Sequence, residues 1–264
     1  MSLILHVSDP HFGTERADVA RALTRLSLAV RPDLVVLSGD ITQRARAAQF
    51  RAARRFMDGL GAPMLAVPGN HDIPLFNLWA RCTRPYGGHR AAFGDVLDPV
   101  FSTTALLVLG VNTTRTHRHK NGEVGEQQVR RVSERLAQAT ARQLRVVVVH
   151  QPIDVMRAQD VPDRLIGYAA AQAAWAAAGA DVVMGGHIHL PYVMPLPGLA
   201  RPMWAVQAGT AVSHRVRPGV PNSVNLLRWN ADEGVCTVEQ WDHSESAQAF
   251  EPVRATRLAP ARAR

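Results

Sequence analysis

Five short stretches of this 264-residue chain carry side chains able to hold a metal ion or move a proton. They are "SDPHFG" with Asp9 and His11, "SGDITQ" with Asp40, "PGNHD" with Asn70, His71 and Asp72, "VVVHQP" with His150, and "GHIH" with His187 and His189. Taken singly, each is ordinary. Asp9 with Pro10 reads as a turn that caps a helix, Asn70 and Asp72 as turn residues, His150 as a strand-end histidine. Taken together they share one chemistry. Carboxylate, imidazole and amide oxygen bind divalent cations of intermediate hardness, and no thiolate accompanies them to select a soft metal. Three carboxylates and five histidines in one small volume would need a compensating positive charge, because unpaired buried charge is costly.

For these stretches to meet, the elements before them must all end at one edge. Residues 3–8 read as a strand. Residues 15–31 follow as a helix, with Val19, Leu23, Leu26 and Val30 at helical spacing. "DLVVLSGD" is a second buried strand, 44–60 a second helix rich in arginine and alanine, and "MLAVPGNHD" a third strand. This β-α-β-α-β order predicts parallel strands joined by right-handed crossovers, with ligands beyond the carboxyl ends of the strands. The pattern resumes with a strand at 105–111, a helix at 125–141, "LRVVVVH" at 144–150, a helix at 169–178 and "ADVVMGGHIH". Residues 203–241 alternate as strands. Residues 74–104, rich in Pro, Gly and aromatics, read as irregular: a cap or lid, or a segment facing a second copy. One domain over 1–245 is expected, followed by a flexible arginine-rich tail at 246–264.

Hydrophobic residues at 47 % and charged residues at 20 % fit a globular protein rather than a disordered one. The formal charge is +8, carried almost wholly by arginine; Lys120 is the only lysine. With the arginines spread along the chain and no basic groove interleaved with aromatics, nucleic acid is not the favoured partner. No apolar stretch is long enough to span a bilayer. The start, "MSLILHVSDP", reads as a strand rather than a secretion signal, and Cys82 and Cys236 have no metal-type spacing. These features lead to the expectation of a reducing, cytoplasmic setting.

In their order along the chain, "DPH", "GD", "GNHD", His150 and "GHIH" resemble the five-block signature of the calcineurin-like metallophosphoesterases. Further on, "NTTRTHRHKNGEVGEQQVRRV" and "QAGTAVSHRVRPGVPNSVNLLRW" resemble the bacterial branch of class III cyclic-nucleotide phosphodiesterases and glycerophosphodiesterases. The resemblance implies an α/β fold, a four-layer α-β-β-α sandwich of two mixed sheets flanked by helices. It implies two metal ions, drawn from manganese, iron and zinc. Asp9, His11 and His189 would bind the first, Asn70, His150 and His187 the second, with Asp40 bridging both. The implied reaction is hydrolysis of a small phosphodiester by in-line attack of a hydroxide held between the metals. His71 would act as general acid, with Asp72 fixing its tautomer. Asn70, His71, His214 and Arg215 are the candidate substrate contacts. Gln151 and Asn112 depart from the branch pattern, which bears on substrate preference. Phosphomonoesterase and nuclease activity are the alternatives. A silent scaffold would have lost ligands, and all are present. A homodimer is expected from family analogy alone.

Overall fold

The computed structural model of the chain describes residues 1–262. Its first half contains strands β1 (Ser2–Val7), β2 (Leu34–Ser38), β3 (Met64–Val67), β4 (Val100–Ser102) and β5 (Leu106–Gly110). Helices α1 (Ala17–Val30), α2 (Ala47–Asp58), α3 (Leu78–Thr83) and α4 (Gly87–Phe93) lie between them. There follow α5 (Glu126–Ala137), β6 (Leu144–Val148), α6 (Tyr168–Ala178), β7 (Val182–Gly185), β8 (Tyr192–Pro195) and β9 (Trp204–Gln207). The chain closes with β10 (Ser223–Asn230), β11 (Val235–Ser244) and β12 (Ala249–Leu258).

The strands form two mixed sheets in the orders β12-β11-β10-β1-β2-β3 and β4-β5-β6-β7-β9-β8. Within the first, β1, β2 and β3 run parallel and β10 pairs antiparallel with β1. Within the second, β5, β6, β7 and β9 run parallel, and β4 and β8 are antiparallel edges. The central strands are apolar on both faces because both faces are covered. Leu3, Leu5, Val7, Val35 and Leu37 face α1 and α2, with Val19, Leu23 and Met57 opposite. Ile4, Val36, Val67, Val108, Val146 and Val182 fill the space between the sheets. On the far side, Leu107, Val147 and Val183 pack with Leu136 of α5 and Trp175 of α6. The result is the expected α-β-β-α sandwich, with the carboxyl ends of β1, β2, β3, β6 and β7 directed to the stretches that carry the polar residues.

Two expectations are corrected. Residues 74–104 are not irregular: they fold into α3, α4 and edge strand β4. Asn77 caps α3 by accepting the Ala80 N–H at 2.9 Å, a local signal that the Pro and Gly content obscures. Residues 246–264 are not a frayed tail. Most of the segment is β12, paired along β11, with Leu258 buried and Arg262 bonded to Asp181 at 2.8 and 3.0 Å. The hairpin partner, absent from any local reading of "VRATRLAPARAR", decides this; residues 263–264 lie outside the described part.

Candidate metal centre

The donors reach one volume because the backbone bends sharply where each strand stops. Asp9, His11, Asp40, His187 and His189 all have positive φ, between 42° and 72°. Only three other described non-glycine residues do, so this left-handed strain is concentrated here. Each such residue costs on the order of 1–3 kcal/mol, and the surroundings must enforce it. Glycine lets the loops close in. A Cβ on Gly69 would collide with the Asp40 backbone N and carboxylate, and one on Gly186 with Ser8 and Asp9.

Two overlapping groups result. Asp9, His11, Asp40 and His189 form the first. His189 Nε2 lies 3.3 Å from Asp9 Oδ1 and 3.2 Å from His11 Nε2, and His11 Nε2 lies 3.8 Å from Asp40 Oδ2. Asp40, His150 and His187 form the second, sharing Asp40. His150 Nε2 is 3.2 Å from both Asp40 Oδ1 and Asn70 Oδ1, which brings Asn70 into the same group. Donor types match between groups, nitrogen and oxygen without sulfur, which suits cations of intermediate hardness.

The next layer of contacts sets which nitrogen faces inward. A backbone carbonyl only accepts, so a ring nitrogen bonded to one carries the proton. His150 Nδ1 meets Ser38 O at 2.8 Å, and His189 Nδ1 meets Arg215 O. In both rings Nε2 is thereby left as a lone pair directed at the centre, as metal-binding histidines are held. The His187 side chain is 4 % exposed, and neither of its ring nitrogens is bonded although it lies among the donors of the second group. An orphaned ring set among carboxylate and imidazole donors, unlike one in a plain core, is explained by a cation it would ligate. The residues present therefore fit a pair of metal ions.

Electrostatics divide the four rings. Burial pushes His187 down to about 3, with His150 close by adding to the effect, and His11 also to about 3. Both rings are held as neutral donors. Burial opposes charge on Asp40 too, yet His150, His71 and His11 hold its carboxyl well below the usual range. His150 rises to about 9 against burial because Asp40 and Asp9 face it, so a cation seated at its Nε2 would displace a proton there.

His71 sits at the rim, 4.0 Å from Asp40 Oδ2. Asp72 does not orient it. The Asp72 carboxylate is buried and accepts from Ile41 N at 3.0 Å, Thr42 N at 2.8 Å, Thr42 Oγ1 at 2.9 Å and Gly69 N at 2.8 Å. It ties the β2 and β3 loops together; the short helical turn at Asn70–Asp72 points it inward, away from the neighbouring ring. Gln43 instead supports His71, its carbonyl 3.1 Å from Nδ1.

A cavity of about 490 Å³ opens over the centre, reached by Asn70, His71, His187, His189 and Arg215. His214 is exposed and outside it, because the loop turns this side chain to solvent while Arg215 turns in. Among its other lining residues, His119, Lys120 and Arg217 fall within the two long stretches quoted above, whereas Asp160 and Asp163 escaped the motif reading. Lys120 Nζ is bound to Asp163 at 2.5 Å, and Arg217 to Asp160 at 2.9 and 3.1 Å. The one usable signal was that the chain's single lysine stands here. Gln151 positions it: its side chain donates to Lys120 O at 3.2 Å and accepts from Thr113 Oγ1 at 2.6 Å.

A family model described as calcineurin-like phosphoesterase matches residues 2–191, a span that holds every donor of both groups. The chain belongs to that family. Among curated relatives it is 37 % identical over 83 residues to the glycerophosphodiester phosphodiesterase GpdQ of Enterobacter lignolyticus, covering 26 % of this chain and 29 % of that one. It is 25 % identical over 202 residues to a cAMP/cGMP dual specificity phosphodiesterase of Mycobacterium tuberculosis, covering 71 % and 61 %. The chain thus spans less than two thirds of the length of these relatives. In fold, a dimetal phosphatase from Danio rerio superposes with a TM-score of 0.66 at 13 % identity, covering 98 % of this chain and 99 % of that one. This calcineurin-like phosphoesterase chain therefore shares its two-sheet scaffold with distant relatives. No helix among the described residues is long and apolar enough to cross a membrane.

Proposed function

We propose that the protein hydrolyses small phosphodiesters, cyclic nucleotides or glycerophosphodiesters, at a two-metal centre. Asp9, His11 and His189 would hold one ion, Asn70, His150 and His187 the other, and Asp40 both, with manganese, iron and zinc as candidates. The observation that carries this reading is the sharing of Asp40 between two donor groups, since one carboxylate can neutralise two cations. When bound, the ions would supply Lewis acidity toward phosphate oxygens and acidify water for attack.

The chain's own residues do the rest. Arg215 Nη1 lies 3.2 Å from His71 Nε2, and no carboxylate pairs with it among the described residues. It is placed to take a phosphate oxygen and, in doing so, to release the His71 ring. His71, held at Nδ1 by the Gln43 carbonyl, would then be free to take up a proton from solvent at Nε2 and pass it to the leaving oxygen. The other two cations of the wall, Lys120 and Arg217, are already neutralised by Asp163 and Asp160. A wall with one spare cation suits the single charge of a diester better than the double charge of a monoester.

The test is a panel. Protein stripped of metal and reloaded with manganese is analysed for metal content. It is then assayed on bis(p-nitrophenyl) phosphate, p-nitrophenyl phosphate, cyclic AMP, a glycerophosphodiester and single-stranded DNA. Two ions per chain and preferential turnover of a small diester are expected. Less than one ion per chain, or faster turnover of the monoester or the DNA, would overturn the proposal.

A further inference from the structure

Residues 41–57 and 73–94 border the cavity on its His71 side and contain eight arginines and no acid, with Asp40, Asp58, Asp72 and Asp95 at their ends. Six are exposed and lack a carboxylate partner among the described residues: Arg44, Arg46, Arg51, Arg55, Arg84 and Arg90. Of the other two, Arg54 pairs with Asp58, and Arg81 is spent on backbone carbonyls of Pro74, Thr116 and Arg118. From the middle of this field projects an apolar turn. Phe76 is 78 % exposed, Leu78 68 % and Trp79 64 %, values more typical of charged side chains. The Arg44 guanidinium lies 5.4 Å from the centre of the Phe76 ring and that of Arg84 5.2 Å from the Trp79 ring. Between α2 and α4 runs a groove of about 430 Å³ with a floor of Ala47, Phe50 and Ala91 and a rim that includes Arg51 and Arg55. Arg44 and Leu75 continue the surface to His71.

We propose that this face docks on an anionic lipid bilayer, with the Phe76–Leu78–Trp79 turn entering the boundary between headgroups and acyl chains and the arginines lying against lipid phosphates. Burial of an apolar tip and attraction of basic side chains to anionic headgroups add in such binding, and aromatic rings flanked by cations suit the headgroup level. A second copy of the chain is the wrong partner, because two such faces would bring like charge together. A single nucleic-acid strand would want ring faces aligned in a groove for base stacking, and here Leu78 shares a convex tip with the two rings. The proposal rests on none of the reaction chemistry above.

Sedimentation of the full chain with vesicles of pure phosphatidylcholine, and of phosphatidylcholine with 30 % phosphatidylglycerol, tests it. Binding is expected to the anionic vesicles only and to weaken between 0.1 and 0.5 M salt. Phe76→Ser with Trp79→Ser should lower partitioning at least tenfold. Arg51→Ala with Arg55→Ala and Arg84→Ala should lower it on the order of 100-fold, since each basic residue near an anionic surface contributes about a factor of five. Arg254→Ala with Arg257→Ala on β12 is expected to leave partitioning unchanged. All these side chains are exposed, and matched melting curves check the fold. Three outcomes would overturn the proposal: no partitioning, equal loss in the β12 variant, or binding of a fluorescent oligonucleotide that depends on these residues while vesicles do not bind.

Discussion

Arg215 donates to His71 Nε2 across 3.2 Å while its own carbonyl accepts from His189 Nδ1, so one residue braces both the expected proton donor and an expected metal ligand. Replacing the side chain leaves the carbonyl in place. Arg215→Ala should therefore keep metal content while lowering kcat/KM for diesters on the order of 100-fold, the usual effect of losing one donor to a reacting oxygen. Arg215→Lys should recover only part, because an ammonium lacks the planar fork that can bridge ring and phosphate. Loss of metal in Arg215→Ala would show that its side chain serves the ligands instead.

His71→Ala separates proton delivery from positioning. Turnover of cyclic AMP or a glycerophosphodiester, whose leaving groups are poor, should fall by roughly 10²–10⁴. Bis(p-nitrophenyl) phosphate, whose leaving group needs no proton, should lose far less. Equal losses on both substrates would count against the general-acid role.

Asp40 and Asn70 differ in reach. Asp40→Asn removes the one carboxylate common to both donor groups and should drop bound metal from two ions toward none. Asn70→Ala touches only the His150 and His187 side and should leave about one ion. Elemental analysis of dialysed protein reads the difference, and the same metal content in both variants would contradict a shared carboxylate.

Asp72 receives four hydrogen bonds, two on each oxygen. In Asp72→Asn an amide NH₂ must face two donors. The cost should be roughly 3 kcal/mol, which for a chain of this size lowers Tm by roughly 5–10 °C. The ratio of turnover on alkyl and nitrophenyl diesters should stay at the wild-type value, since Gln43 rather than Asp72 holds the His71 ring. A shift in that ratio would restore the orienting role to Asp72.

His89 on α4 is buried with neither nitrogen bonded, and burial, with Arg90 adding to it, pushes it down to about 4. A histidine lowered on folding supports the native state above its unfolded value near 6.5. That support fades as pH falls toward 4, because the unfolded chain binds the proton first. At pH 5 the loss amounts to roughly 2 kcal/mol. His89→Leu should therefore lose less Tm between pH 7 and pH 5 than wild type, by roughly 5 °C. Parallel curves for the two proteins would refute this.

Much of the centre was legible because its signal lies in residue type at strand ends. "SGD" and "PGNHD" follow apolar runs that could only be buried strands, so the direction of their polar tips follows from parallel topology. Legibility stops where long-range contact decides. Nothing local in "VRATRLAPARAR" announces a strand; β12 exists because β11 offers it a ladder. The roles of Asp72 and Gln43 depend on which way a three-residue helical turn points two adjacent side chains, beyond the reach of periodicity. Asp160 and Asp163 line the cavity through a loop whose sequence, "AQDVPD", resembles any solvated turn. The basic face of α2 and α4 looked dispersed along the chain and becomes one field only when the two helices pack.

Asp9, His11, Asp40 and Asn70 hang from the first sheet, whereas His150, His187 and His189 hang from the second. Neither half of the sandwich owns a complete cage. A chain emerging from its amino terminus would offer incoming ions only loose, partial coordination until residue 189 had been laid beside Asp9, so full metal capture would wait for both layers to meet. Once seated, the ions would clasp the two layers at one edge, and prying the layers apart would mean surrendering both.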